Sequence, residues 1–360
     1  MKIDKLRSLV PLEEIEQEAQ NQIWDVLSLE FLKELAIMPD VHAGYHLPVG
    51  GVALLDGKIS PSFVGVDIGC GMCFVNTGIQ ADALSTQEYK RIYDEIYKVI
   101  PVGFTIRERP LDYKEFKSDF HELNQRVQEK LYKSLGTLGG GNHFIELGSN
   151  QSNELCITIH SGSRNIGHSV AQHYTRLGSF FDITSDLGEQ YLRDMNYCLD
   201  FALENRLTMI KEILRILGLD YLTQRVLKNS LINENHNHAI ITPDGILHRK
   251  GATPANSGQL GIIPANMRDG VYITRGLGNL EYLSSASHGC GRIMSRSKAK
   301  KTILLEDFKD TMVGVIANVG DHTLDEAPFA YKDVDYVINA QKGITVDIVD
   351  TIKPIVNIKG

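Results

Sequence analysis

The sequence predicts an α+β fold. Strand and helix periodicities are mixed along the chain without the strict alternation of a doubly wound sheet. The longest helical pattern, residues 186–228, stands between strand-like stretches. No internal repeat, low-complexity segment or Ser/Gly linker divides the 360 residues, so one large domain is as good a reading as two. With 42% hydrophobic and 23% charged residues the composition is that of a soluble globular protein. No apolar run reaches the roughly 18 residues of a membrane span, and Met1-Lys-Ile-Asp-Lys-Leu-Arg7 has no apolar core behind it, which argues against a secretory signal. Five cysteines are odd in number and too sparse for a disulfide framework, so a reducing cytosol fits best. The formal net charge of −8 excludes coating of nucleic acid through a bulk positive field. Any polyanion must enter at one local patch, helped by a bound metal.

In chain order, Leu12, Ile15, Ala19, Ile23 and Val26 recur at helical spacing, predicting a helix within 11–36 that Pro39 stops. Residues 38–51 read as a loop carrying Asp40, His42 and His46, followed by a strand from Val49 to Leu55 and an Asp56-Gly57 turn. An apolar strand is expected to run from Phe63 into Asp67. Residues 82–134 read as at least two helices broken near 101–110. Leu155 to His160 alternates, with Leu155, Ile157 and Ile159 on one face and Cys156, Thr158 and His160 on the other. A small-residue turn and a helix through Ala171 and Tyr174 follow. The 186–228 helix offers Leu192, Met195, Leu199, Leu203 and Ile210 to a core and carries no functional signal. His236 and His238 are expected on one face of a strand, residues 261–270 as a loop, and Val271 to Thr274 as a strand. Residues 312–318 and 334–339 read as short apolar strands, and 344–358 as an edge pair.

Chemistry gathers where the patterning lapses. Ser285-Ala-Ser-His-Gly-Cys-Gly-Arg292 sets His288 among residues that let a backbone approach a ligand. Arg292 and Arg296 follow at a spacing that would share a helix face. The reading is a nucleophilic or acid–base histidine beside phosphate-binding arginines, against a plain glycine-rich turn. Asp67 and Cys70 sit among glycines, suited to metal coordination. The rival reading of Cys70-Gly-Met-Cys73 is a redox or zinc half-site, yet a four-cysteine zinc site needs a second such pair. A packed free thiol is the bland reading of each. Gly136 to Gly141 lacks the Lys-Ser/Thr ending of a Walker loop, which rules out that motif, but it delivers Asn142, His143 and, three residues on, Glu146. His143, His160, His236 and His288 all sit beside Gly, Ser or Asn turns. One carboxylate, one thiolate and three imidazoles are enough for two divalent ions if the thiolate bridges them, and by ligand type Zn²⁺ fits at least as well as Mn²⁺.

Eight collinear stretches resemble the RtcB-type RNA ligases: Pro39-Asp-Val-His42, Val66-Asp-Ile-Gly-Cys-Gly71, Gly136-Thr-Leu-Gly-Gly-Gly-Asn-His-Phe144, Ile159-His-Ser-Gly-Ser-Arg164, His248-Arg-Lys-Gly-Ala-Thr253, Ser287-His-Gly-Cys-Gly-Arg292, Glu326-Ala-Pro-Phe-Ala-Tyr-Lys-Asp-Val-Asp335 and Lys359-Gly360. The resemblance spans residues 39–360. It implies a single α+β domain over 1–360, with a helical insertion at about 184–230 and mixed sheets around a dinuclear manganese site. It also implies GTP-dependent joining of an RNA 3′-phosphate or 2′,3′-cyclic phosphate to a 5′-hydroxyl, in RNA repair or tRNA splicing.

Carried over, the resemblance makes Cys70 the bridge between two Mn²⁺, with Asp67, His143, His160 and His236 completing the shells. His288 becomes the residue that takes GMP from GTP. Asn142, His143, Phe144, Ile145, Glu146, His236 and Asn237 would line the nucleotide site together with Pro264, Ala265, Asn266, Met267, His288, Gly289, Cys290 and Gly291, and Lys359 would reach the guanine. Arg164, Arg249 and Arg292 are candidates for steadying phosphates. An activator protein is a partner the resemblance leaves open. Departures are a shorter chain, a Pro264–Gly270 loop without the family's Gly-Ser-Met-Gly pattern, Val271 in place of a common Ser, Gly69 in place of a common Asn, and Cys290 in place of a common Ala. Two alternatives stand beside the ligase: a metal-dependent phosphoesterase that opens cyclic phosphates, and an RNA-end-binding protein on the same fold.

Overall fold

The computed structural model describes residues 3–360. Two large mixed sheets carry the chain. The first has five strands in the order Leu6–Ser8, Leu32–Tyr45, Leu47–Leu55, Gly245–Lys250, Asn237–Thr242. The second runs Leu260–Pro264, Val271–Gly276, Val346–Lys359, Phe144–Ser149, Glu154–Ser161, Gly71–Gln80, Ile232–Asn235, and the two-residue strand Ile316–Ala317 pairs beside Val346–Lys359. Helices Thr86–Val99 and Asp186–Ile216 cover one face of the larger sheet. Ile92 and Ile96, with Met209, Ile210 and Ile213, pack there against Ile145, Leu147, Ile157, Ile159 and Val356. Helix Gln17–Ser28 packs Ala19, Ile23 and Val26 on the smaller sheet. The alternation read in Glu154–Ser161 holds: Ile157 and Ile159 enter the helix-covered core, and His160 pairs with Phe144 on the other face. Among the described residues, no helix is long and apolar enough to cross a membrane.

Several elements differ from the sequence reading. The helix expected within 11–36 spans only Gln17–Ser28, and a long strand, Leu32–Tyr45, passes through Pro39 and the expected loop. The ladder to Leu47–Leu55 breaks between Ile37 and His42, so the N–H that Pro39 lacks is never required. The strand expected at 63–67 is a short helix, Pro61–Val64, started by the Ser60 side chain and a proline in its first turn. Part of the loop expected at 261–270 is strand Leu260–Pro264, hairpinned to Val271–Gly276. Residues 334–339 are helical because the Asp333 carboxylate accepts from the amides of Asp335 and Tyr336. The tail is one long strand in mid-sheet, flanked by Val271–Gly276 and Phe144–Ser149, with a bulge at Pro354. The stretch expected as a helical insertion forms helices Asp186–Ile216 and Thr223–Ser230, and the first of them builds part of the main core.

Candidate metal centre and nucleotide cavity

The site lies where the two sheets meet. Strand Ile232–Asn235 ends in the larger sheet, His236 occupies the corner, and Asn237 begins a strand of the smaller sheet. Cys70 precedes strand Gly71–Gln80, and His160 ends the neighbouring strand with its ring toward Cys70. His143 arrives from the glycine loop before Phe144–Ser149. Gly69 (φ +74°) adopts a left-handed conformation that favours glycine, and a Cβ there would lie 3.0 Å from Ala202 Cβ and 3.2 Å from the Cys198 carbonyl oxygen of helix Asp186–Ile216. A Cβ on Gly162 would sit 2.4 Å from Asp67 Oδ1, so only glycine lets the 160–164 turn close on that carboxylate.

Two ligand sets result, Cys70–His160–His236 and Asp67–Cys70–His143, and both contain Cys70. Cys70 Sγ is 3.2 Å from His143 Nε2 and 3.2 Å from His160 Nε2. His160 Nε2 is 3.3 Å from His236 Nε2, and Asp67 Oδ2 is 3.1 Å from His143 Nε2. His160 is oriented by the Asn142 carbonyl, 3.1 Å from its Nδ1, while Nδ1 of His143 and of His236 is buried without a partner. Burial pushes the Cys70 thiol well up, and neighbouring Asp67 adds to this. Burial also pushes His160 and His236 well down, helped at His160 by His143 and at His236 by His288. Asp67 goes the other way: burial opposes it, but the hydrogen bond and charge of His143, with Cys70 and Arg164, hold it below the usual carboxylate range. A dry thiol beside His160 and His236, which burial keeps neutral, is poorly satisfied by protein alone. A divalent cation would ionise the sulfur and give each nitrogen lone pair a partner. The donor set fits two such ions sharing the sulfur.

His288 follows strand Ser285–Ser287 and stands beside the cluster, its ring centroid 4.8 Å from that of His236. Its Nδ1 lies 2.6 Å from Asp40 Oδ2, and its backbone N–H donates to the same oxygen at 3.2 Å. Asp40 is fully buried, and its other oxygen has no partner. His42 Nδ1 meets the Asp40 carbonyl, so its far edge also faces the opening.

A cavity of about 250 Å³ leads from His288 to the end of the chain. Asn142, Phe144, Pro264, Ala265, Asn266, Met267, Gly289, Cys290, Gly291, Arg292 and Lys359 all line it, with His160 and His288. The altered loop is tied by Asn266, whose Oδ1 accepts from the amides of Arg268 and Asp269. Cys290 packs with Ala265 and Val337, room enough for its sulfur. Lys359 Nζ donates to Glu326 at 2.9 Å and to the Asn142 carbonyl at 3.3 Å, above the Phe144 ring. Glu326 also takes Arg296 at 2.6 Å, Arg292 at 3.3 Å and the Tyr331 hydroxyl at 2.6 Å. Burial raises the Glu326 carboxyl, but Lys359, Arg296 and the Tyr331 hydroxyl together bring it down to about 2. Glu146 lies behind Asn357, which donates to it at 3.0 Å, and burial pushes its carboxyl up to about 8.

Other expectations land elsewhere. The Ile145 side chain points into the helix-covered core, since alternation puts it opposite Phe144 and Glu146. Asn237 gives its side chain to the Asp67 carbonyl and the Gly251 amide, steadying a ligand and not lining the cavity. Arg249 is buried away from the site, donating to Ser285 Oγ and lining a separate cavity with His238. His236 and His238 therefore do not form a pair. Lys250 is also buried, and burial alone brings its amine down to about 7. Arg164 sits near Asp67, held by Thr137 and the Gly103 carbonyl in a left-handed backbone (φ +58°) that a non-glycine residue adopts at a cost. Arg292 and Arg296 share no helix, because a turn carries Arg292 and the helix begins at Arg296; they meet instead on Glu326.

Asp40, His42, Tyr331, Glu326 and Asn357 were not assigned from sequence, whereas Arg296 was read there with Arg292 as a phosphate-binding arginine. Asp40, His42, Glu326 and Tyr331 lie inside two of the stretches that carry the resemblance. Asn205 and Arg206 were passed over as plain helix. Their signal was two polar residues among Ala202, Met209 and Ile210 on the face that packs inward.

Comparison with known proteins agrees over nearly the whole chain. A family model described as tRNA-splicing ligase RtcB matches residues 22–125 and 113–360. The RNA-splicing ligase RtcB of Escherichia coli strain K12 is 32% identical over 391 residues, covering 96% of this chain and 95% of its own. The tRNA-splicing ligase RtcB of Nanoarchaeum equitans is 28% identical, covering 92% of this chain and 89% of its own. An RNA-splicing ligase RtcB homolog of Entamoeba dispar is 28% identical over 90% of this chain and 78% of its own.

Proposed function

The chain belongs to the RtcB family, and from that premise we propose that it is an RNA ligase dependent on GTP and manganese. It would join an RNA 3′-phosphate, or a 2′,3′-cyclic phosphate once opened, to a 5′-hydroxyl, in RNA repair or tRNA splicing. The observation that carries this reading is the pair of ligand sets sharing Cys70, with His288 at their edge and a cavity running on to Lys359. Five buried, free cysteines support a reducing, cytoplasmic setting.

Asp67, Cys70 and His143 would hold one Mn²⁺ and Cys70, His160 and His236 the other. Bound there, the ions supply neutralisation of the charge that develops during phosphoryl transfer. The chain's own residues do the rest. Asp40 would accept a hydrogen bond from His288 Nδ1–H, which keeps the proton on that nitrogen and leaves the Nε2 lone pair free as nucleophile. Nε2 attacks the α-phosphate of GTP, forming a P–N bond as the bond to pyrophosphate breaks. The GMP then passes to the RNA 3′-phosphate, breaking the P–N bond and making an anhydride. The 5′-hydroxyl attacks that phosphate and GMP leaves with the electron pair. Phe144, Asn266 and Met267 would enclose the nucleoside, and Lys359 would provide a hydrogen-bonding group at the guanine end, with Glu146 behind it on Asn357. Arg164 and Arg292 would steady phosphate oxygens. The whole chain is read as one ligase domain.

Mass spectrometry after incubation with GTP and Mn²⁺ tests the reading. One GMP adduct on His288 is expected, absent from His288→Ala. A chain that hydrolyses cyclic phosphate without an adduct would be a phosphoesterase, and one that does neither an RNA-end-binding protein.

A further inference from the structure

Arg206 lies near the middle of helix Asp186–Ile216 and is fully buried. It donates five hydrogen bonds to amide oxygens: Nη1 to the Gly69 carbonyl at 3.0 Å and the Ser161 carbonyl at 2.7 Å, Nη2 to the side chains of Asn235 at 2.9 Å and Asn233 at 2.8 Å, and Nε to Asn233 at 3.1 Å. The five N–H groups of a guanidinium are thus all engaged. Each of three acceptors is the chain neighbour of a ligand: Gly69 precedes Cys70, Ser161 follows His160, and Asn235 precedes His236. These segments come from distant parts of the sequence, and one planar group ties them together. Asn205, the preceding residue, holds Thr137 through both its amide and its carbonyl, along with the Gly162 carbonyl, and so braces the loop that leads to His143.

We propose that Arg206 is a positioning residue for one half of the metal centre, setting the spacing of Cys70, His160 and His236 toward a divalent ion. The proposal rests on the metal reading above. Charge is not its main contribution; the flat fork is, because it reaches two backbone carbonyls and two asparagine side chains at fixed angles. A lysine has three donors on one freely rotating nitrogen and cannot keep that geometry.

The test uses the full chain and metal alone. Mn²⁺ binding is followed by calorimetry, and Co²⁺ is used as a spectroscopic probe of thiolate ligation. Native protein is expected to bind two ions. Arg206→Lys should weaken the ion on Cys70, His160 and His236 by about 10–100-fold, the usual range for a group that orients metal ligands, while the ion on Asp67 and His143, which shares only the Cys70 sulfur with it, should lose less. The near-ultraviolet thiolate-to-cobalt band should lose intensity, and the rise in melting temperature on adding Mn²⁺ should shrink. Asn235→Ala cuts only the tie to His236 and keeps the buried arginine, so it carries the test should the lysine variant fail to fold; a smaller loss at the same ion is expected. Native affinities and a native cobalt spectrum in a folded variant, however much less stable its metal-free form, would overturn the proposal. Native protein that binds no divalent ion would bring down the metal reading, and the role of Arg206 with it.

Discussion

Asp40→Asn isolates what the buried carboxylate does for His288. The substitution keeps the shape and one acceptor oxygen within reach of the ring nitrogen, now 2.6 Å from Asp40, and of the backbone amide at 3.2 Å. It removes the charge. As GMP moves onto Nε2, the imidazole gains positive character. A full unit pair about 4 Å apart at an effective dielectric near 20 is worth about 4 kcal/mol, and partial charge on the ring takes roughly half of that. A hydrogen bond to a charged group exceeds a neutral one by about 1 kcal/mol. Together these give about 2–3 kcal/mol of lost stabilisation, or roughly 30- to 160-fold in rate. The assay is single-turnover labelling with α-³²P GTP, quenched with detergent and chelator because acid cleaves the P–N bond. Mn²⁺ binding should be unchanged, since Asp40 lies outside both ligand sets. Labelling at the native rate would refute the argument.

Cys70→Ala removes the atom common to both ligand sets; manganese retained after desalting, measured by mass spectrometry, should fall from two ions per chain to fewer than one. Lys359→Met takes one cation from Glu326 but leaves Arg296 and Arg292 on it. The cost is therefore below the 3–5 kcal/mol of a fully orphaned buried charge, at about 1–2 kcal/mol by urea unfolding, with a raised KM for GTP. Glu146 has a folded value of about 8 against an ordinary 4.5, raised by burial. The folded chain therefore keeps a proton that the unfolded chain loses as pH rises from 4.5 to about 8. Stability falls by about 1.4 kcal/mol for each pH unit in that window and levels off above it. Glu146→Gln should flatten this slope in urea titrations at two pH values inside the window, and an unchanged slope would remove the buried acid as its source.

The candidate site was legible because its histidines stand where apolar patterning fails. His143, His160 and His288 neighbour small residues with no reason to be in a core, and a strand of period two fixed which way His160 points. The scaffold was harder. Pro39 read as a stop, yet a break in the ladder makes it harmless within Leu32–Tyr45. Asp333 turned an apolar six-residue run into a helix through its cap. Arg249 and Arg292 look alike in sequence, both beside glycine turns, and only the pairing of Gly245–Lys250 with Leu47–Leu55 decides that Arg249 is buried elsewhere. Arg206 was hidden for the opposite reason. A helix that satisfies its core so well gives no hint that one polar position on its inner face reaches three other segments.

The charge pattern explains why an acidic chain can handle a polyanion. Arg292, Arg296 and Lys359 line the cavity, but Glu326 contacts all three, Asp325 contacts Arg296, and Asp40 contacts His288. Three fixed cations thus face three fixed carboxylates, and the protein by itself offers a triphosphate little net attraction. The pairing still has a use: it holds the long side chains still, with N–H groups set in place before a ligand arrives. Net positive charge would then come from ions on the Cys70 sets, next to His288. A surface of excess lysine would attract nucleic acid anywhere along it, whereas a neutral cavity leading to a cationic centre favours only chains whose ends reach that centre. For a ligase, which must take RNA by its termini and leave continuous strands alone, that placement of charge is a source of selectivity.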